Sequence, residues 1–186
     1  MQAIQTQEQT PDKTQPCWEQ RFVSGVIEQC QQDKGLAARL RRADNPATEY
    51  QSWELLASYG IDLEYEQQRL PFVTVAAAIA KAKTERNGVL SLGQGIAACY
   101  EGGRESTQAT ARLRRLLACD DLPELCRILR PLFSLIDSKT AQPLDYQRLL
   151  GQLRRFSRTE QQIKVKAQWA QEFYGQPGIK AGEAGA

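Results

Sequence analysis

No histidine occurs anywhere in the 186 residues. That absence removes histidine-based catalytic triads, imidazole proton shuttles and histidine metal ligands at once. Cysteine is sparse and odd in number: Cys17, Cys30, Cys99, Cys119 and Cys126 form no CxxC pair. Most of them fall on apolar helical positions, the pattern of reduced core thiols rather than of metal ligands or a disulfide framework. A surplus of one charge sign is also missing. Lys and Arg total 24 against 22 Asp and Glu, a net charge of +2, so any affinity for nucleic acid has to come from where the basic residues sit. No apolar run approaches the roughly 20 residues of a membrane span. The glutamine- and threonine-rich start shows no apolar signal core, so the expected setting is cytoplasmic, with no membrane partner. A chain of this length can form one domain of ordinary core size or two small ones.

What is present is helical periodicity. From Cys17, apolar residues recur as Trp18, Phe22, Val26, Ile27 and Cys30, the spacing of an amphipathic helix. In GLAARLRRADNP, Leu36, Leu40 and Ala43 share one face, while Arg39 and Arg42, three apart, are neighbours on another. Asn45 and Pro46 read as a cap and a first-turn proline that restart a helix through Tyr50, Trp53, Leu56 and Ala57. Gly60 can end it in the left-handed region. Residues 61–70 are acidic and weakly patterned, the expectation for a loop. Pro71 then opens a helix with the stripe Phe72, Val75, Ala76 and Ile79; Lys81, Lys83 and Arg86 lie in its last turns, and Asn87-Gly88 closes it.

The stretch GVLSLGQGIAACYEGGRESTQATARLRRLL, residues 88–117, has the most distinctive punctuation. Ser91 is a good N-cap. Gly93 and Gly95 follow inside the turn, where each costs roughly 1 kcal/mol against alanine. Such a cost makes sense where another backbone approaches closely. The next helix sets Ala109, Leu113, Leu116 and Leu117 on one side and Arg112 with Arg115 on the other. Asp121 then caps LPELCRILRPLFSLI, whose apolar set is Leu122, Leu125, Cys126, Leu129, Leu132, Phe133 and Ile136; Pro131 should kink or split it. Beyond Pro143, Tyr146, Leu149, Leu150, Leu153 and Phe156 form one arc, with Arg148 and Arg155 opposite. A last helix, capped by Thr159 with Gln162 placed for a capping box, should bury Ile163, Ala167, Trp169, Ala170 and Phe173 and stop at Gly175.

No stretch alternates as a strand between hairpin turns, so the expected fold is all-α, as two small helical bundles in one chain. The expected division is a disordered extension at 1–16, bundles at 17–102 and 103–175, and a mobile tail at 176–186.

The chemistry is narrow. VLSLGQGIAA contains a glycine-x-glycine-x-x-alanine outline of a dinucleotide-binding turn, but that motif needs a βαβ unit and the chain supplies helices on both sides. Helix packing explains the glycines better. Asp120 and Asp121 read as helix caps rather than an acid–base or metal site. With no convergent carboxylates, an enzyme is not expected. From Arg148 to Lys166 the chain carries Arg148, Arg154, Arg155, Arg158, Lys164 and Lys166 against the single acid Glu160. An isolated run of this kind is a solvated helix face. Three separate helices, however, pair an apolar stripe with arginines on the far side, and arginine's planar fork suits phosphate oxygens.

The ordered set GLAARLRRADNP, a tryptophan-bearing helix, SLGQGIAA, ATARLRRLLACDDLPELCRILRPL, PLDYQRLLGQL and WAQEFYG resembles the small subunit of the type I-E CRISPR surveillance complex, Cascade (the CasB family). The resemblance runs from Gly35 to Tyr174 and lies in the order and spacing of the pieces, none of which is specific alone. It implies an all-helical, two-bundle, non-catalytic protein, present as two copies in the belly of the complex. Each copy would meet the crRNA-bearing backbone subunits, the large subunit and the second copy of itself, and help hold the target and displaced non-target DNA strands. Carried over by position, Arg42 and Arg112 with Arg115 are the best candidates for nucleic-acid contact. Family members often have a basic residue just after the leucine-glycine turn; this chain has Gln94, and no phosphate contact is assigned there. The candidate contacts from spacing and resemblance together are Arg39, Arg42, Arg112, Arg115, Arg148, Arg155 and Arg158, with no catalytic residue, metal or cofactor. The rival readings are a stand-alone helical nucleic-acid-binding regulator, which should carry a polar recognition helix, and a protein-interaction adaptor without nucleic-acid contacts.

Overall fold

Leu70 to Ala80 are buried without a break, in a helix that runs Glu66–Ala82 (α4). A helix apolar all round has to be enclosed on every side. In the computed structural model, which describes residues 17–175, the neighbours that enclose it are α1 (Trp18–Gln32), α2 (Lys34–Arg42), α3 (Trp53–Ser58), α7 (Leu122–Lys139) and α8 (Tyr146–Phe156). The remaining helices are α5 (Leu92–Ala98), α6 (Thr107–Leu117) and α9 (Thr159–Tyr174), with short 3-10 turns at Pro46–Ser52 and Gly103–Glu105. The fold is all-α: the sole β-type pairing among the described residues is an isolated parallel bridge between Leu90 and Leu144. The extension expected at 1–16 and the tail expected at 176–186 lie outside the described residues. No helix among the described residues is long and apolar enough to cross a membrane.

Several local expectations shift. The helix expected to open at Pro71 begins at Glu66, so part of the acidic "loop" is its first turn. An acidic residue suits that end of the helix dipole, and a proline in the second turn forfeits one donor without ending the helix. It stops at Lys83, a left-handed residue with φ 51°, rather than at Asn87-Gly88. Asn87 instead clasps the start of α8, donating to Asp145 Oδ1 at 2.9 Å and accepting from the Gln147 amide at 3.2 Å. Pro131 does not split α7; it lies on the exposed face, where the carbonyl it deprives of a donor can be hydrated. Leu56 is buried as expected, but Tyr50, Trp53 and Ala57 are exposed, and Glu49, Ser52 and Leu55 are buried in their place. The segment is 3-10 through Ser52, and its tighter turn moves the inward face off a 3.6-residue count. In α9 the buried set is Val165, Trp169 and Phe173, with Ile163 70% exposed; Arg158, not Thr159, is the N-cap, and Gln162 donates to the Asp120 carbonyl at 2.7 Å.

Of the glycine pair, Gly93 meets another backbone as its cost implied, whereas Gly95 faces side chains, with a Cβ there 3.1 Å from Ile136 Cδ1 and 3.3 Å from Leu144 Cδ2. Ser91 caps α5 in a capping box with Gln94, and α5 lies against α9. A Cβ on Gly93 would sit 2.5 Å from the Trp169 carbonyl oxygen and 2.6 Å from the Phe173 amide nitrogen. Two helix backbones therefore meet there with no room for a methyl group. The chain turns at Gly102 and Gly103, both with positive φ, yet buried apolar residues from Phe22 in α1 to Phe173 in α9 form one connected cluster. Packing of α4 on α7 and α8 carries that core across the turn.

Two outcomes follow from this packing. Gly93→Ala is expected to destabilise by about 1–3 kcal/mol, because the obstruction is backbone and cannot rotate away; a denaturant melt measures it. Burial raises the Cys126 thiol from its ordinary value near 9 to about 11. The folded state then holds a proton that the unfolded chain releases, so this stabilisation is complete below pH 9 and is lost as pH rises towards 11. Melts between those pH values should show a decline that Cys126→Ala partly flattens.

Candidate nucleic-acid interface

Helix α6 is the simplest basic face. Ser106 caps it by accepting from the Ala109 amide at 3.4 Å, and Ala109, Leu113 and Leu116 seal its inner side. That rotation leaves Arg112, Arg114 and Arg115 exposed. Arg112 Nε donates to the Tyr100 hydroxyl at 3.3 Å, which orients the fork without neutralising it. Among the described residues, none of these three guanidiniums forms an ion pair.

Helix α2 starts on Asp33, whose carboxylate accepts from the Gly35 and Leu36 amides at 2.7 and 3.0 Å. Leu36, Ala37 and Leu40 fix its inner face, so Arg42 lies outward, while Arg39 is half-buried with its Nε enclosed. Arg39 sits 3.7 Å from the exposed Glu54 carboxylate. Arg42 is exposed, and its carbonyl accepts from the Thr48 hydroxyl at 2.6 Å, tying down the backbone beneath a side chain that forms no ion pair among the described residues.

Helix α8 divides its arginines between two tasks. Arg148 projects outward as its spacing implies, but Nη2 lies 2.8 Å from Glu172 Oε1. The Glu172 side chain is only 6% exposed. The same oxygen accepts from Gln152 Nε2 at 2.9 Å, and Oε2 accepts from the Gly93 amide at 3.1 Å. Gln152 in turn accepts from Trp169 Nε1 at 2.9 Å. Glu172 thus joins α5, α8 and α9, and Arg148 supplies its counter-charge. Arg155 and Arg158 are exposed, and Arg155 makes only a 3.4 Å contact with Gln168 Oε1.

Arg155 and Arg158 meet in an open groove of about 530 Å³, lined by Glu19 of α1, Gln67, Gln68 and Phe72 of α4, and Gly151 and Arg154 of α8. Arg154 pairs with Glu19, and its guanidinium lies 5.2 Å from the Trp18 ring centroid and 5.6 Å from that of Phe72. Helices α1, α4 and α9 all begin beside this groove, and none has a side-chain cap; α3 also lacks one, whereas α2, α5, α6, α7 and α8 have them. The structure therefore brings together Arg112 with Arg115 on α6, Arg39 with Arg42 on α2, and Arg155 of α8 with Arg158 of the α8–α9 link, and commits Arg148 to Glu172. Sequence reasoning missed Arg114, which differs from its neighbours by one position in a run, and the joining of Arg154 to Glu19, Gln67 and Gln68, for which long-range spacing carries no signal.

Comparison with known proteins adds a family. The model of the CRISPR-associated protein Cse2 family matches residues 36–174. The crystal structure of M. ruber CasB is similar at 26% identity and a TM-score of 0.67, over 86% of this chain and 94% of that one. CasB from Thermus thermophilus is similar at 24% identity and a TM-score of 0.64, over 85% and 98% of the two chains. CasB from Thermobifida fusca gives 19% identity and a TM-score of 0.64, over 85% and 96%; these last two likenesses speak for the fold. No curated protein sequence matches.

The two kinds of arginine should separate in a melt. Arg148→Ala is expected to cost about 1–2 kcal/mol, since a buried carboxylate loses a charged partner that solvent partly screens. Arg115→Ala should stay within about 0.5 kcal/mol.

Proposed function

Because this chain belongs to the CRISPR-associated Cse2 (CasB) family, we propose that it is a non-catalytic small subunit of a type I-E surveillance complex, Cascade, that grips nucleic-acid backbone through arginine-bearing helix faces. The observation that carries this reading is α6: a helix sealed by Leu113 and Leu116 on one side, with Arg112, Arg114 and Arg115 on the other, exposed and without ion pairs among the described residues. The same logic extends to Arg42, Arg155 and Arg158, with Arg39 as a weaker contributor beside Glu54. Arg148 acts mainly by holding Glu172.

The mechanism is electrostatic. Forming an RNA–DNA heteroduplex in place of a DNA duplex is a near-balanced exchange, as in Cas9-type complexes, so protein bound to the separated strands can tip it. The partners in this reading are crRNA, the target and non-target DNA strands, the backbone and large subunits, and a second copy of the chain. Base pairing would carry sequence selection, and the protein would stabilise the R-loop. For the protein partners, Tyr50 and Trp53, 59% and 41% exposed, give aromatic anchors of the kind that dominate interfaces, with Arg69 5.9 Å from the Trp53 ring.

The test is target-DNA capture by complexes reconstituted with Arg112→Ala/Arg115→Ala, at two salt concentrations. Assembly and melting should match the parent. Capture should weaken, and the salt dependence should fall by about one unit for each phosphate no longer neutralised. A double variant that assembles and captures DNA like the parent defeats the assignment of this face.

A further inference from the structure

The groove between α1, α4 and α8 has the dimensions and polarity of a site for one unpaired nucleotide. Its volume, about 530 Å³, lies within the range of roughly 300–1,000 Å³ typical of small-ligand sites. Three guanidiniums line it, Arg154, Arg155 and Arg158, against the single carboxylate of Glu19. Glu19 is engaged by Arg154, and Arg154 is held over the Trp18 and Phe72 rings. That arrangement fixes one wall and leaves Arg155 and Arg158 as the uncompensated charges. Gln67 and Gln68 are exposed on the α4 side of the same space. Each carries an amide that both donates and accepts, the chemistry that reads a splayed-out base edge.

We infer that this groove seats an unpaired nucleotide of single-stranded nucleic acid, with its phosphate at Arg155 and Arg158 and its base edge at Gln67 and Gln68. The inference rests on the proposed function and sharpens it. The helix faces of α6 and α2 are open surfaces that can only follow a backbone, whereas the groove distinguishes a free nucleotide from one held in a duplex. In a paired strand the base edges are already occupied and stacked, so they cannot reach the amides. Arg155 and Arg158 then act on a strand that has already been separated.

Gly151 offers a way to fill the groove while leaving every charged residue in the chain. It lies on α8 among the lining residues, and a Cβ there would meet Glu19 Cγ at 3.8 Å and Arg155 Nη1 and Glu19 Oε1 at 4.0 Å, ordinary contacts from which a longer side chain extends into the space between the charges. Gly151→Leu replaces a helix-interior glycine with a good helix former, so folding is expected to hold. Its side chain then occupies the space while every arginine remains. The probes are a fluorescein-labelled thymidine oligonucleotide of about a dozen residues, within the span of known single-strand sites, its abasic counterpart and a matched duplex. Binding to the full chain is read by anisotropy at low and moderate salt, with circular dichroism and melting of each variant alongside.

The parent is expected to bind the oligonucleotide more tightly than the abasic strand or the duplex. Gly151→Leu should weaken oligonucleotide binding about tenfold, the scale of removing one charge-assisted hydrogen bond. Gln67→Ala/Gln68→Ala, a surface change, should erase the preference over the abasic strand while keeping the salt slope. Parent-like binding by folded Gly151→Leu overturns the groove, as does a parent with no preference for bases or no salt-dependent binding. The α6 variant in reconstituted complexes judges the broader function separately, so the groove can fail while that reading stands.

Discussion

The burial of α4 is the constraint from which the architecture follows. Residues Leu70 to Ala80 present no polar face apart from Thr74, so an isolated α4 would expose apolar surface in every direction. Only a ring of neighbours satisfies it, and those neighbours come from both halves of the chain. Four of the enclosed residues, Ala76, Ala77, Ala78 and Ala80, are small, which lets surrounding helices approach closely. Each surrounding helix turns part of its apolar stripe to α4, and α7 and α8 also pack on α5 and α9 respectively. What remains outward on α2 and α8 is the polar arc, and that is where their arginines lie.

Arginine is used here in two ways that composition cannot separate. At Glu172, Glu19 and Glu49, guanidiniums neutralise carboxylates that packing has drawn largely out of water: Arg148, Arg154 and Arg69 respectively. Such pairs fix orientation between helices, and removing one partner costs more than the pair contributes. On α6 and at the end of α8, no acid among the described residues is close enough to pair with Arg115 or Arg158. A near-neutral chain can still present local positive surface, because the remaining acids among the described residues lie away from these arginines rather than beside them.

Helix periodicity made the fold class legible, along with the inner faces of α2, α6, α7 and α8, because each keeps a 3.6-residue rhythm between clear caps. It failed where the geometry was not α-helical or the helix had no polar side. The 3-10 turn before Trp53 changed the phase of the pattern, exposing Tyr50 and Trp53. Helix α4 looked like a stripe because the residues between Phe72 and Ile79 are small or β-branched; all of them are buried. Of the candidate nucleic-acid residues, outward placement of the arginines could be read locally. The carboxylate that claims Arg148 lies at Glu172, on another helix, and spacing within α8 says nothing about it. The groove that unites Glu19, Gln67 and Arg155 exists only after three separated segments have folded together.

The continuity of the core has a mechanical consequence. Because α4 is locked against α7 and α8, and Glu172 ties α5, α8 and α9 together, the outward arginines cannot slide relative to one another without breaking buried interactions. The backbone positions from which they project are set at folding, and the fold serves as a ruler. Under the proposed function, a strand laid across two of these positions would have to adopt the ruler's spacing, and the flexibility given up would be the strand's. A pre-set template of this kind favours a strand already drawn out to the matching length over one that must still be bent or coiled to fit.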